Sequence, residues 1–263
     1  MSNSVDVNAL LTGAMDEGAL GAGSLNILNG LDDLGLRIQA ALGTPADSVQ
    51  ASEAILVRVL MDDSPSMMSY VQDAIDGYNL VIDAQLASKQ KAGILFGADF
   101  LNGGLLCPYM PLDHIARLSL ADYHLMGGTP LFSRSLETLA TVIAKTQEFS
   151  DNGVPVRSIT LIVTDGYNNQ GRGTAAQVAT VIADMMKAEN HIVAAMGIAA
   201  DAVGQADFRK VFQNMGIRPE WILTPKNTPS EIRKAWTLFS NSAVRASQNA
   251  ANFSSTQVGG FGN

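Results

Sequence analysis

Residues 54–66 read Ala-Ile-Leu-Val-Arg-Val-Leu-Met followed by Asp-Asp-Ser-Pro-Ser. The stretch from Ala54 to Met61 is apolar except for Arg58. A run of this kind that stops abruptly at a polar turn is the signature of a strand buried on both faces. Pro65 stands where a helix should start, and proline is well tolerated at a first helical position. The sequence therefore predicts a helix from about Ser66 to Ser88. Arg58 is discordant: if the strand is buried, its charge needs a carboxylate partner.

The same alternation continues along the chain. Further strands are expected at Ala92–Ala98, at a short edge segment near Leu105–Tyr109, at Ser158–Val163, at Ile192–Ile198 and at Trp221–Leu223. Between them, helices are expected from Pro130 to about Phe149, over Thr174–Lys187, over Gln205–Met215 and over Ser230–Ser247. Thr174 and Gln177 form a Thr-x-x-Gln capping box at the start of the second of these. Strands alternating with helices imply a mostly parallel sheet covered on both faces. No internal repeat is present. Residues 1–50 differ in composition and read as an N-terminal arm, flexible or used for docking, with one short helix along Leu28, Leu31, Leu34 and Ile38. Gly30 and Gly35 interrupt that helix. Residues 51–248 form the main domain, and 249–263 read as a mobile tail.

Composition narrows the function. The chain has 263 residues, of which 47% are hydrophobic and 16% charged, and a formal charge of −8. With Lys and Arg thinly scattered, nothing favours phosphate backbones, so nucleic-acid binding is not expected. Cys107 is the only cysteine, which rules out an intrachain disulfide and a thiolate zinc cluster. The opening residues lack the basic and apolar regions of a secretory signal, and no apolar stretch is long enough to span a bilayer. The expected setting is cytoplasmic, away from membranes.

Ligands of such sheets sit beyond the carboxyl ends of the strands. Oxygen-bearing residues from three segments fall there: Asp62-x-Ser64-x-Ser66, Gly127-Gly128-Thr129-Pro130 and Thr164-Asp165-Gly166. Each alone has an ordinary explanation as a helix cap or a turn. Their joint occurrence, in this order and at these element boundaries, points to a site. Carboxylate and hydroxyl oxygens without His or Cys suit a hard cation such as Mg²⁺, with Mn²⁺ or Ca²⁺ as alternatives.

Asp62, Ser64, Ser66, Thr129 and Asp165 resemble the metal-ion-dependent adhesion site of von Willebrand factor A (vWA) domains, and the resemblance runs from about Ala54 to Gln248. The segment Leu238–Gln248 is similar to the last helix of bacterial vWA proteins associated with tellurite resistance and stress response. The resemblance implies a doubly wound, six-stranded sheet of Rossmann-like type with one short antiparallel edge strand and a divalent ion at its top. Asp63 occupies a position without a ligand role in the family; it reads as a solvated turn residue or as added charge that tightens cation binding.

Other signals carry less. The chain has no Gly-x-Ser-x-Gly elbow, and His191 reads as structural. His114 and His124 flank a loop that could approach the site. Gly171-Arg-Gly-Thr174 lacks a Walker ending. Met67, Met68, Met185 and Met186 read as core filler. The leading expectation is a non-enzymatic module that captures a partner's Asp or Glu carboxylate through the metal. The alternatives are an accessory subunit of an AAA+ ATPase and a structural subunit docked through residues 1–50. A metallophosphatase fits poorly, because no second carboxylate cluster or base stands out.

Overall fold

The computed structural model describes residues 6–88, 91–199, 201–248, 253 and 259–261. Along the chain lie α1 (Val7–Asp16), α2 (Ala22–Asn29), α3 (Leu34–Leu42), β1 (Ala54–Met61), α4 (Val71–Leu86), β2 (Ile94–Phe100) and β3 (Gly104–Pro111). They are followed by α5 (Leu131–Asp151), β4 (Val156–Thr164), α6 (Ala175–Lys187), β5 (His191–Gly197), α7 (Ala202–Asn214), β6 (Ile222–Leu223) and α8 (Pro229–Gln248). The strands make one six-stranded sheet in the order β3-β2-β1-β4-β5-β6. All pairings are parallel except that of β3, which runs antiparallel to β2 at the edge. This is the doubly wound α/β architecture expected from the sequence.

Burial follows from position. β1 is paired on both sides and covered on both faces, so every residue of it is buried, Arg58 included. Helices α4 and α8 pack together on one face; α5, α6 and α7 line up on the other. Gly77 of α4 lies against the buried Trp236 of α8, and a side chain there would overlap the indole. The capping box at Thr174 and Gln177 is present. The helix expected from Ser66 begins instead as a 3₁₀ segment, Pro65–Ser69, and becomes α-helical only at Val71. No helix among the described residues is long and apolar enough to cross a membrane.

Residues 7–42 form three helices rather than the single one expected. They add a layer over the second face, α1 and α3 packing on α5 and α2 on α6. Leu11, Leu28 and Ile38 are buried in the common core. Polar contacts fasten the layer: Gly21 N–H and Ser24 hydroxyl donate to Asp184 at 2.9 and 2.6 Å, and Lys145 Nζ donates to the Thr44 carbonyl at 2.5 Å. Helices of eight to ten residues are marginal alone. Tertiary burial stabilises them, so periodicity shows them only weakly. The expected mobile tail falls mostly outside the described residues; Phe253 and Phe261, which are described, are buried.

His191, the first residue of β5, is fully buried with Nδ1 2.7 Å from Ser158 Oγ. Burial pushes its pKa down to about 4. The unfolded chain therefore binds a proton near pH 6.5 that the native chain refuses. The resulting stability is present above that pH and is lost as pH falls toward 4. At about 1.4 kcal/mol per unit, the loss is about 3 kcal/mol. Urea unfolding of His191→Asn should lack this component of the slope between pH 6.5 and 4; an unchanged slope would refute the assignment.

Candidate metal centre

The strand order reverses between β1 and β4: the chain leaves β1 toward β2 on one side, and later β4 toward β5 on the other. The connections diverge there and open a crevice at the carboxyl ends. Met61 is in register with Val163, and Asp62 N–H donates to the Val163 carbonyl at 2.9 Å. The residues that follow the two strands, Asp62 and Asp165, therefore start from adjacent points on one edge.

A hydrogen-bonded chain joins the two carboxylates. Asp62 Oδ1 accepts the Ser64 N–H at 2.8 Å, and Oδ2 accepts the Thr164 hydroxyl at 2.5 Å. Ser64 Oγ and Ser66 Oγ lie 3.0 Å apart, and the Ser66 hydroxyl donates to Asp165 Oδ1 at 2.8 Å. Thr129 comes from the loop before α5 and is buried. Asn169 clamps it from both sides: Asn169 Oδ1 accepts the Thr129 N–H at 2.7 Å, and Asn169 N–H donates to the Thr129 carbonyl at 3.1 Å. Thr129 Oγ1 also sits 3.0 Å from where a Cβ on Gly166 would lie, which places the hydroxyl directly beside Asp165-Gly166 and makes a side chain there a tight fit. The residues singled out from the sequence thus share one rim, four joined through hydrogen bonds and Thr129 through Asn169 and Gly166.

Asp63 is neither solvated nor turned toward this rim. It is buried, and its carboxylate accepts Asn102 N–H at 2.8 Å, Asn102 Nδ2 at 3.0 Å and Gly103 N–H at 2.7 Å. It ties the β1 turn to the β2–β3 turn. The loop carrying His124 does approach: the Tyr123 hydroxyl donates to the Asp62 carbonyl, and Met126 N–H donates to the Asp63 carbonyl at 2.8 Å. Sequence reasoning missed the supporting roles of Thr164, Asn169, Tyr123 and Asn102. The only visible hint was the polar run Asn168-Asn169-Gln170 immediately after Asp165-Gly166-Tyr167.

The charges at this rim are uncompensated. Among the described residues, no ion pair involves Asp62, Asp63 or Asp165. Burial pushes the Asp62 carboxyl up, against the hydrogen bonds from Thr164 and Ser64 that favour its ionised form. Burial likewise raises Asp165 to about 6; the Ser66 hydrogen bond opposes the shift and the neighbouring Asp62 adds to it. Asp62 is fully buried, whereas Ser66 is exposed and Asp165 half-buried, so the rim opens to solvent on the Ser66–Asp165 side. No group of three or more His, Cys, Asp or Glu side chains able to hold a metal occurs among the described residues. A cation at this rim could draw on two carboxylates and the Ser64, Ser66 and Thr129 hydroxyls. That set fits a hard divalent ion, whose charge two carboxylates match, and it does not fit a thiolate or imidazole metal.

No family model and no curated protein sequence matches the chain. Solved structures do. The pilus adhesin SpaC from Lactobacillus rhamnosus GG, in its open conformation, superposes with a TM-score of 0.55 at 12% identity, over 73% of this chain and 30% of the adhesin. Proximal thread matrix protein 1 from the mussel byssus gives a TM-score of 0.47 at 17% identity, over 71% of this chain and 46% of that one. Its form with a zinc-occupied MIDAS motif gives 0.47 at 14%, over 74% and 47%. The chain therefore spans less than a third of the adhesin's length and under half of the mussel protein's. The SpaC superposition shows a shared fold. With a single antiparallel edge strand beside β2, that fold is vWA-like.

Within this vWA-like fold, Asn169 is the residue that holds Thr129 in place. For a divalent cation held at this rim with Thr129 among its donors, Asn169→Ala should weaken binding by roughly 10- to 100-fold, as loss of an orienting partner does in other metal sites, while leaving the thermal midpoint nearly unchanged. Calorimetric titration checks this, and wild-type affinity in the variant would show that the clamp does not matter.

Proposed function

We propose that this chain is a protein-binding module in which Asp62, Ser64, Ser66, Thr129 and Asp165 hold a divalent cation, Mg²⁺ first among the candidates, and that the cation in turn holds a carboxylate of a protein partner. One observation carries the reading: two carboxylates without any basic partner, joined through serine hydroxyls across the switch point of the sheet, with the exposed end of the array facing solvent. A bound ion supplies an electropositive position for one more anionic oxygen. Asp62 and Asp165 match a divalent charge and the neutral hydroxyls add none, so an incoming Asp or Glu meets no excess negative charge. Asp63 is excluded from the count because its oxygens are spent on Asn102 and Gly103. The reading assigns the chain a binding role with no bond-making step.

The experiment is affinity purification on the full chain in Mg²⁺ and in EDTA, beside calorimetric titration of Mg²⁺ alone. The expected result is micromolar to millimolar Mg²⁺ binding and a set of captured proteins released by EDTA. Retention of the same proteins in EDTA, or the absence of Mg²⁺ binding, would sink the reading. Release of an ATPase would favour the accessory-subunit form of this function over a stand-alone binder.

A further inference from the structure

Among the described residues, the large apolar side chains that stand exposed are Leu36, Met68, Leu105, Leu120, Met126, Tyr167 and Val203. Single exposed apolar residues are ordinary. Their placement here is not. Met68 is in the 3₁₀ segment that follows β1, Tyr167 follows Asp165-Gly166, and Met126 directly precedes Gly127-Gly128-Thr129. Leu105, at the start of β3, is in register with Asp99 near the carboxyl end of β2, and Val203 opens α7 after β5. Most of the exposed apolar side chains therefore surround one end of the sheet, the end that carries the metal rim. Met68 is 71% exposed, so the expectation that it fills the core is corrected; only its neighbour Met67 does.

Charge is arranged the opposite way. Segments 65–70, 101–105, 125–130 and 166–171, which frame the site, contain no Asp, Glu, Lys, Arg or His. Asp63 beneath them is consumed by hydrogen bonds. A cation held at the centre would be framed by these uncharged segments of Met, Leu and Tyr, with Asp122 and His124 beside Met126 and Asp201 and Asp207 beside Tyr167 forming a mostly acidic outer ring. Methionine and tyrosine are side chains that adapt to, or anchor, apolar contacts at interfaces.

We infer that the partner presents a single Asp or Glu flanked within about two residues by large apolar side chains, the acid seated on the cation and the flanks on Met68, Met126 and Tyr167. This rests on the metal-dependent reading above and specifies its partner. Acidic clusters are disfavoured, because only one acid can reach the cation and Asp122, Asp201 and Asp207 around the apolar side chains repel the others.

The test pans a phage-displayed random dodecamer library on the full chain in Mg²⁺ with elution by EDTA, and titrates Mg²⁺ by calorimetry in parallel. The expected enrichment is one Asp or Glu beside Leu, Ile, Met, Phe, Tyr or Trp. A labelled peptide from that pool should then bind Met68→Ser and Tyr167→Ser about tenfold more weakly each, since each removes most of a buried apolar contact, while Mg²⁺ affinity stays at the wild-type value. Enrichment of polyacidic sequences or of acids without apolar neighbours, no EDTA-eluted enrichment despite measured Mg²⁺ binding, or peptide affinity untouched in both variants would overturn the inference and leave the metal reading standing. Failure of Mg²⁺ itself to bind would remove both.

Discussion

Asp165→Asn should weaken Mg²⁺ binding on the order of a hundredfold or more while raising the thermal midpoint of the metal-free chain. The two effects come from one cause. Burial holds Asp165 up to about 6, with the Asp62 charge adding to the shift, so its ionised form is disfavoured in the folded state without a cation. The ordinary value is about 3.9. Between those two values the native state retains a proton that the unfolded state has released. The contribution of Asp165 to metal-free stability is therefore most favourable below about pH 4 and declines as pH rises to about 6, above which its deficit is constant. Asparagine keeps an oxygen that can accept the Ser66 hydroxyl, observed at 2.8 Å, but removes the charge. The deficit disappears, and so does one of the two charges that match a divalent ion. In the proposed site protons and Mg²⁺ compete for the same oxygen, so the rise in midpoint caused by Mg²⁺ should be larger at pH 7.5 than at pH 5 in the wild type and small at both in the variant. Thermal melts with Mg²⁺ or EDTA at both pH values, with calorimetry, decide the matter. A variant that binds Mg²⁺ like the wild type would show that Asp165 is not a ligand.

Asp99→Ala should cost about 3–5 kcal/mol of stability, a large part of the total for a domain of ordinary stability. Arg58 lies in the central strand with no exposure at all. Its guanidinium meets Asp99 with two bonds, Nε to Oδ2 at 2.8 Å and Nη2 to Oδ1 at 2.7 Å, and its Cζ sits 5.0 Å from the Tyr109 ring centre. Gly97, its register partner on β2, makes this possible: a Cβ there would collide with Nη1. Removing the carboxylate leaves a buried cation without compensation. Removing both charges does not, so a double variant Arg58→Met/Asp99→Leu should recover most of the loss or exceed wild type. Urea midpoints of the single and double variants measure the coupling. Equal losses in Asp99→Ala and in the double variant would mean that packing, not charge, dominates here.

Much of this molecule is legible without coordinates because buried parallel strands leave a one-dimensional trace. Ala54–Met61, apart from Arg58, and Ser158–Val163, apart from Ser158 and Thr160, are apolar runs without polar alternation, since a strand covered on both faces has no polar side to alternate with. Asp62, Ser64, Ser66, Thr129 and Asp165 could be singled out because strand ends are where such sheets place ligands, and because oxygen donors that recur at several strand ends are hard to explain as caps alone. The three N-terminal helices were not legible as a set: each is too short to show a strong period, and Asp6, whose side chain accepts the Ala9 N–H at 3.1 Å, is the only clear cap among them.

The sequence by itself determined the order of the sheet's strands and of the helices between them and the doubly wound class, and it singled out the oxygen-bearing residues at the strand ends, because all of these depend on local composition read in register with backbone geometry. Only the tertiary structure decided that Asp63 is a clamp between two turns, that Arg58 belongs to Asp99, that Asn169 holds Thr129 and that Met68 faces solvent. Each of those is a pairing between residues 39 to 41 positions apart or a question of which side of a turn is covered. A contact made by folding across such a distance leaves no periodic trace in the chain that makes it.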